Sequence, residues 1–503
     1  MTTLIPKFDL KNGGTTPTGA INRAINLKLQ EIVSVKDFGA VGDGTTDDAA
    51  AIQAALNSAT ALYFPTGNYF IGTTLTLPYK EFVMFGDGRQ SLIFGAVNPL
   101  VKYPTTTGTV TQSIYNMAIS ANGYNTCVDM TQTWDGAGKV GPTIEGCFFS
   151  NTVSGASTDA YFIKLRGVWS VNITNNSFFG NVVGSSPSTR NGCAGVVIAL
   201  GSDMNTSVMN VVIENNKFIQ VAEPIKVIPN SGGGAGRVEG LAVLNNSFVQ
   251  GLIGISSNSS LALHISGNVI SDFNVAIQLN GDFQFAINDN VQVDGNAVGI
   301  QIVALAGGFV ENGTITGNQI TVQPDGVGVQ FNAYNQIIRS VVVSGNFIGR
   351  EAGTTAQSGI GVQIQGSQAV YLININGNGF QQLAQSVDFG TVSGQSVFVN
   401  ANTYSFVTTY GPQESTPYNA QISVNLTGGN LFETVNIAIP ADTFIQTPIN
   451  GFLSADGSEN VPFIGLYKKS TSSYTTATFV LYSISGTNLQ SGFHKANLQL
   501  NGF

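Results

Sequence analysis

From about residue 117 the chain repeats one pattern of hydrophobic and polar positions. Two apolar residues lie two apart, a short polar turn follows, then Asn, then any residue, then Phe, Ile or Tyr. It reads Val171-Asn-Ile173-Thr-Asn-Asn176-Ser-Phe178, Val211-Val-Ile213-Glu-Asn-Asn216-Lys-Phe218, Leu241-Ala-Val243-Leu-Asn-Asn246-Ser-Phe248 and Leu263-His-Ile265-Ser-Gly-Asn268-Val-Ile270, and continues at Asn290, Asn318, Asn346 and Asn378. An earlier copy is read at Met117-Ala-Ile119-Ser-Ala-Asn122-Gly-Tyr124 and a weaker one at Gly146. Alternation with period two predicts strands, and a fixed turn followed by a new apolar residue predicts a sharp corner between them. The interval between copies is too variable for helical repeats. It suits a stacked solenoid in which every coil keeps one corner and insertions go into the other turns. Asn tolerates a left-handed corner and its amides can bond to one another along a stack, so the corner Asn is expected to do both. At a strand spacing of about 4.8 Å the coils from 122 to 378 make a rod roughly 43 Å long.

The flanks differ in pattern. Near the start, Ala49, Ile52, Ala55 and Leu56 form an apolar stripe that predicts a short helix over about 48–58, capped by Thr46 or Asp47 and placed to plug the open end of the solenoid. Residues 1–33 hold a partly apolar stretch too short for a domain. After Tyr404 the Asn corners stop, and Gln421-Ile-Ser-Val-Asn-Leu426 and Ala477-Thr-Phe-Val-Leu-Tyr-Ser-Ile484 alternate between Gly-Gly and Asp-Gly turns, which predicts an antiparallel β domain, read as a sandwich. The division is therefore a short N-terminal segment at 1–33, an all-β parallel solenoid at 34–405 and a β domain at 406–503.

Composition narrows the classes. The chain has 503 residues, 43% hydrophobic and only 10% charged, with 60 glycines and a formal net charge of −9. A disordered chain would be less apolar and more charged, a nucleic-acid binder would be basic, and collagen would repeat glycine every third residue. No apolar run approaches the roughly 18 residues of a membrane span, and the first residues lack a signal-peptide run, so synthesis in a cytoplasm without membrane insertion is expected. Cys127, Cys147 and Cys193 are an odd number with no close pair beside only two histidines, so they are read as buried thiols rather than a disulfide framework or zinc site. The acids of Gly42-Asp-Gly-Thr-Thr-Asp-Asp48 invite a calcium reading, but turn and capping roles use the same residues. No cofactor or metal is expected.

Ahead of the repeats stand Val33-Ser-Val-Lys-Asp-Phe-Gly-Ala-Val-Gly-Asp-Gly-Thr-Thr-Asp-Asp-Ala-Ala-Ala-Ile-Gln-Ala-Ala-Leu56, Tyr63-Phe-Pro-Thr-Gly-Asn-Tyr-Phe70 and Phe85-Gly-Asp-Gly88. In this order they resemble the entry segment of the pectate-lyase superfamily, the single-stranded right-handed parallel β-helix, in the version found on bacteriophage tailspikes. The resemblance covers residues 20 to about 400. It implies a homotrimeric virion tail protein that binds and depolymerises a bacterial surface polysaccharide, capsule or O-antigen. It further implies a C-terminal domain that holds three chains together or binds glycan, and attachment through residues 1–33 to another tail or adaptor protein.

The resemblance supplies no fixed catalytic motif, so site residues are read from register. With each corner Asn as zero, Asp272 and Asp294 both fall at +4 on consecutive coils, about one coil rise apart, the spacing of a retaining carboxylate pair. Position +4 is also where the strand turns, which suits Asp structurally. Glu239 and Glu311 fall at −7 and Glu214 at −2; Glu239 follows a glycine-rich loop that carries Arg237 and could wall a groove. Glu239 joins the catalytic set; Glu214, His264, Arg237, Trp169 and Tyr334 are assigned to substrate binding, with Tyr161 and Trp134 as further stacking aromatics. Each has a plainer reading as a solvated charge or a packed ring. Glycosidic hydrolysis is expected ahead of elimination; the alternatives are a lyase tailspike and a non-catalytic receptor-binding spike. A cellular pectate-lyase-like enzyme would carry a secretion signal and an acidic calcium cluster, which the sequence does not display.

Overall fold

The computed structural model describes residues 31–407 apart from loop segments, the longest being 133–140, 152–159, 230–235, 305–309 and 351–357. It also describes the strands Lys7–Phe8 and Arg23–Ala24 and six strands between 418 and 501. For several of these residues, among them 293–295 and the strands after 417, it describes the backbone alone. Lys7–Phe8 and Arg23–Ala24 pair antiparallel.

One sheet of 36 strands winds through the body, every pairing in it parallel and each strand bonded to its counterpart in the next coil. The winding makes three faces. The first includes Val208–Glu214, Val238–Leu244, Ser260–Ser266, Phe283–Asn288, Val310–Thr316, Ile338–Ser344 and Val370–Asn376. The second includes Lys217–Ile219, Ser247–Val249, Val269–Ser271 and Phe347–Arg350. The third includes Glu223–Ile228, Ile253–Asn258, Val275–Asn280 and Ile360–Gly366. This is the single-stranded right-handed parallel β-helix expected from the corner pattern.

The corner divides its labour between two residues rather than resting both tasks on Asn. The left-handed conformation belongs to the residue before it: Asn175, Asn215, Asn245, Gly267, Asp289, Gly317, Gly345 and Gly377 all have φ between 55° and 68°. The invariant Asn turns inward and is buried. From Asn176 to Asn378, each backbone N–H and each Nδ2 donates to Oδ1 of the next Asn, as at Asn246 to Asn268 (2.9 and 3.1 Å) and Asn268 to Asn290 (3.0 and 2.9 Å). Nδ2 also donates to a carbonyl of the preceding coil, as at Asn268 to Val243 (2.9 Å). The ladder runs one coil further than the sequence reading, to Asn402, which accepts from Asn378 N–H at 2.9 Å.

Two early copies shift. Ile119 pairs with Phe149, not with Ile144, so Asn122 stands outside the ladder. The corner read at Gly146 moves to Cys147, whose N–H donates to Asn176 Oδ1 at 2.9 Å, Gly146 being the left-handed residue (φ 66°). A thiol fits there because it ends the stack against buried carbonyls. All three cysteines are buried and free, and burial pushes their thiols up.

Inside, the second face sends a column of rings up the axis: Phe149, Phe178, Phe218 and Phe248 stack at 4.9, 4.4 and 5.1 Å between centroids. The column packs directly on third-face backbone. A Cβ added to Gly299, Gly328 or Gly361 would lie 2.5 Å from Ile320, 2.3 Å from Ile348 or 2.5 Å from Phe380. Part of the glycine content is thus close packing between faces. Outside the third face, charge is replaced by a line of amides, with Gln301 donating to Gln330, Gln330 to Gln363 and Gln363 to Asp388 at 2.6, 2.8 and 3.2 Å.

The helix Ala49–Ser58 buries Ala49, Ile52, Ala55 and Leu56, which join the solenoid core. Asp47 accepts from Ala49 N–H (3.0 Å) and Gly72 N–H (2.9 Å), while Asp48 accepts from Val41 and Gly42. Asp43 accepts from Thr45 and Thr46, which holds its carboxyl far below the usual range. Turn bonding therefore occupies all three acids. The two later entry motifs meet through Asp87, which accepts from Tyr63 Oη (2.8 Å) and Thr66 N–H (2.9 Å). Beyond residue 417, six antiparallel strands form one sheet in the order Tyr418–Leu426, Gly492–Asn501, Asn450–Ala455, Phe463–Tyr467, Thr476–Ser483, Phe432–Ala438.

Asp282 closes the turn from third to first face and is fully buried. Its carboxylate accepts from Ser257 Oγ (2.7 Å), Ser260 N–H (2.8 Å) and Asn280 N–H (2.8 Å), yet burial outweighs these bonds and pushes its pKa up to about 6. A folded pKa above the unfolded one gives stability that is present below pH 4 and lost as pH rises through 6, here about 3 kcal/mol. Melting the wild type and Asp282→Asn across pH 4–7 should show the wild type gaining on the variant as pH falls; a constant difference would remove this role.

Candidate active site

Register places side chains on the outer surface as predictably as inside. At the leading edge of the first face, Trp169, Met209, Glu239, Leu261, Phe283, Glu311, Arg339 and Tyr371 stand in one line, each paired with the next coil's residue. The line mixes ring planes with charged groups. Trp169 and Phe283 are half-buried and Tyr371 is 40% exposed. Glu311 is ion-paired with Arg339 on the next coil. Glu239 lies 3.6 Å from Arg237 of the loop that precedes it. Glu239 and Glu311 are three coil rises apart, about 14 Å. The turns from third to first face, including the one with exposed Tyr334 (52%), flank this edge. Rigid strands thus present aromatic faces, carboxylates and guanidinium groups at fixed intervals beside variable loops, the combination that positions a chain of hydroxylated rings.

His264 is exposed on the same face, between Ala242 and Ala286 in register, three residues further along the strand than Leu261. Glu214 points outward nearer the Asn corner, where it accepts from Asn245 Nδ2 at 3.3 Å. Tyr161 is packed rather than presented, buried with Ala194 and Val197. Trp134 lies outside the described residues.

Asp272 is on a different corner, between the second and third faces. It adopts φ 63°, as do its counterparts Gln220, Gln250 and Gln382 at 54°, 66° and 56°. Arg190, only 6% exposed, comes from the 180–192 loop and bonds Asp272 Oδ2 at 2.7 Å, the Asp272 carbonyl and the Gly251 carbonyl. This carboxylate therefore straps a loop to the solenoid. Ser271 pairs with Val293, the last register pair before this corner; the Asp294 side chain lies outside the described residues. The structure groups Trp169, Glu239 and Arg237 on one edge and separates them from Asp272. Sequence register had grouped Glu239 with Glu311; Phe283, Arg339 and Tyr371 share their −7 offset and were readable by the same count.

A sequence profile of the rhamnogalacturonase A/epimerase, pectate-lyase-like family matches residues 32–133. The fold is that of solved phage tailspikes: the Pseudomonas phage phi297 tailspike at TM-score 0.54 and 11% identity, over 94% of this chain and 99% of that one. The chain has the parallel β-helix fold, and its entry segment is similar to that family. The E. coli bacteriophage HK620 tailspike, solved with a pentasaccharide, matches this β-helix protein at TM-score 0.50 and 13% identity over 98% and 97% of the two chains. Among curated relatives, the tail spike protein of Shigella phage Sf6 is 27% identical over 30% of this chain and 25% of its own length. A capsule K30/K69-specific depolymerase of Klebsiella phage K5-2 is 31% identical over 22% and 15%. The β-helix protein spans a quarter or less of the length of these relatives.

Proposed function

We propose that this chain is the polysaccharide-binding and polysaccharide-cleaving body of a phage tailspike, acting on a bacterial capsule or O-antigen. The observation that carries the reading is the first-face edge line, where Trp169, Phe283 and Tyr371 share one register column with Glu239, Glu311 and Arg339. Sugar rings would stack on the aromatic planes and bond the carboxylates and guanidinium groups through their hydroxyls, with Arg237, Tyr334 and His264 around them. Glu239 is the acid assigned to cleavage by hydrolysis, while Glu311, three coil rises away and ion-paired with Arg339, is too distant to act on the same bond and is assigned to sugar binding. A second reading places cleavage at the Asp272–Asp294 corner, where the coil spacing expected from the sequence, near 5 Å, is that of a retaining pair. Three chains assembled side by side, with residues 1–33 joined to a tail or adaptor protein and the C-terminal sheet joining subunits or binding glycan, complete the proposal.

Purified protein incubated with a panel of capsules and lipopolysaccharides should release oligosaccharides with new reducing ends and no ultraviolet-absorbing double bond. An absorbing product would replace hydrolysis by elimination. Binding without release would make the protein a receptor-binding spike.

A further inference from the structure

Gln292 interrupts the apolar column inside the second face. Its partners in register are Ile270 below and Ile320 above, and the same position holds Phe218, Phe248 and Phe380 in other coils. It is fully buried, and neither its Oε1 nor its Nε2 has a hydrogen-bond partner. The amide reaches toward the third face, where Oε1 would stand 2.6 Å from a Cβ added to Gly299. In the same coil Asn296 is also fully buried; its Oδ1 accepts from Phe273 N–H at 3.1 Å while its Nδ2 is unpartnered. Between these two residues the ladder loses register: four positions separate Gln292 from Asn296 where two separate their partners Ile320 and Val322. An irregular corner and three orphaned polar atoms therefore coincide on one coil.

Buried amides without partners are rare, and polar interiors of this kind are satisfied by internal water. The donor set decides the ligand. Two amide N–H₂ groups repel a cation, the buried guanidinium of Arg190 at this corner is already paired with Asp272 rather than an anion, and one acceptor beside two donors suits water, which both gives and takes hydrogen bonds. We propose that Gln292 and Asn296 bind ordered water inside the solenoid, directly behind the corner segment 293–295. Coils with Ile or Phe at this place have regular corners and need none. The water stands in for the ladder bonds that the extra residues remove, holding the corner that carries Asp294.

A high-resolution crystal structure of the wild type should show water within hydrogen-bond distance of the Gln292 amide, and Gln292→Met, which restores an apolar column, should lack it. Backbone amides of 293–297 should exchange at least about tenfold faster in Gln292→Met. A wild-type structure with no water at either amide would overturn the site, whether or not the variant folds. Unchanged exchange in a folded Gln292→Met would overturn the corner-holding role.

Discussion

Replacing Asn290 with Ala is expected to lower the stability of the β-helix by about 3–6 kcal/mol. Its Oδ1 accepts from Asn268 N–H (3.0 Å) and Asn268 Nδ2 (2.9 Å), and its own Nδ2 donates to Ile265, Asn288 and Asn318 at 3.1, 3.0 and 2.9 Å. Ala leaves the Asn268 backbone N–H orphaned and takes one of the acceptors of Asn268 Nδ2, where Asn268 and Asn290 are both 0% exposed, so no outside water can replace the lost partner. The neighbouring residue behaves differently. Asp289 supplies the left-handed backbone (φ 55°), which Gly adopts without strain, so Asp289→Gly should shift stability by less than about 1 kcal/mol. Denaturation midpoints of the two variants separate these roles. Equal losses would mean that the corner conformation, not the amide ladder, holds the coils together.

The second large effect concerns cleavage. Glu239→Gln should reduce oligosaccharide release by at least about 100-fold, the range for removing a group that moves a proton, whereas Glu311→Gln, three coil rises away, should weaken sugar binding without abolishing release. The melting temperature should change little at Glu239, whose ion pair with Arg237 is open to solvent, and more at Glu311, which is buried against Arg339. Asp272→Asn should behave oppositely. It removes the charge that pairs with buried Arg190, which destabilises the 180–192 strap by about 1–3 kcal/mol, and leaves release intact in the folded protein. If Asp272→Asn and Asp294→Asn abolish release while Glu239→Gln cleaves normally, the corner pair is the catalytic one.

Much of the fold was legible because a solenoid repeats its constraints. Each coil imposes the same alternation and the same buried amide, so the corner Asn is marked eight times over from Asn176 to Asn378. The capping helix was legible because Ala49, Ile52, Ala55 and Leu56 form one stripe. The reading failed where the repeat was impersonated or replaced. Asn122 follows an apolar pair yet sits past the second face, and Cys147 fills a ladder position with a thiol. It also gave the left-handed corner to the ladder Asn, although the residue before it varies among Asn, Gly and Asp as such a backbone requires. For the site, register shows which residues share a line, so Glu239 and Glu311 were found together. It could not show that Arg190, distant in sequence, reaches Asp272, because that contact depends on how an inserted loop folds back.

The most direct test is a crystal structure of the protein with an oligosaccharide of its own polysaccharide bound. Sugar rings should lie along the first-face edge, stacked on Trp169, Phe283 or Tyr371, with hydroxyls bonded to Glu239 and Glu311. Sugar seated instead at the Asp272–Asp294 corner, or found nowhere on the helical body, would contradict this account.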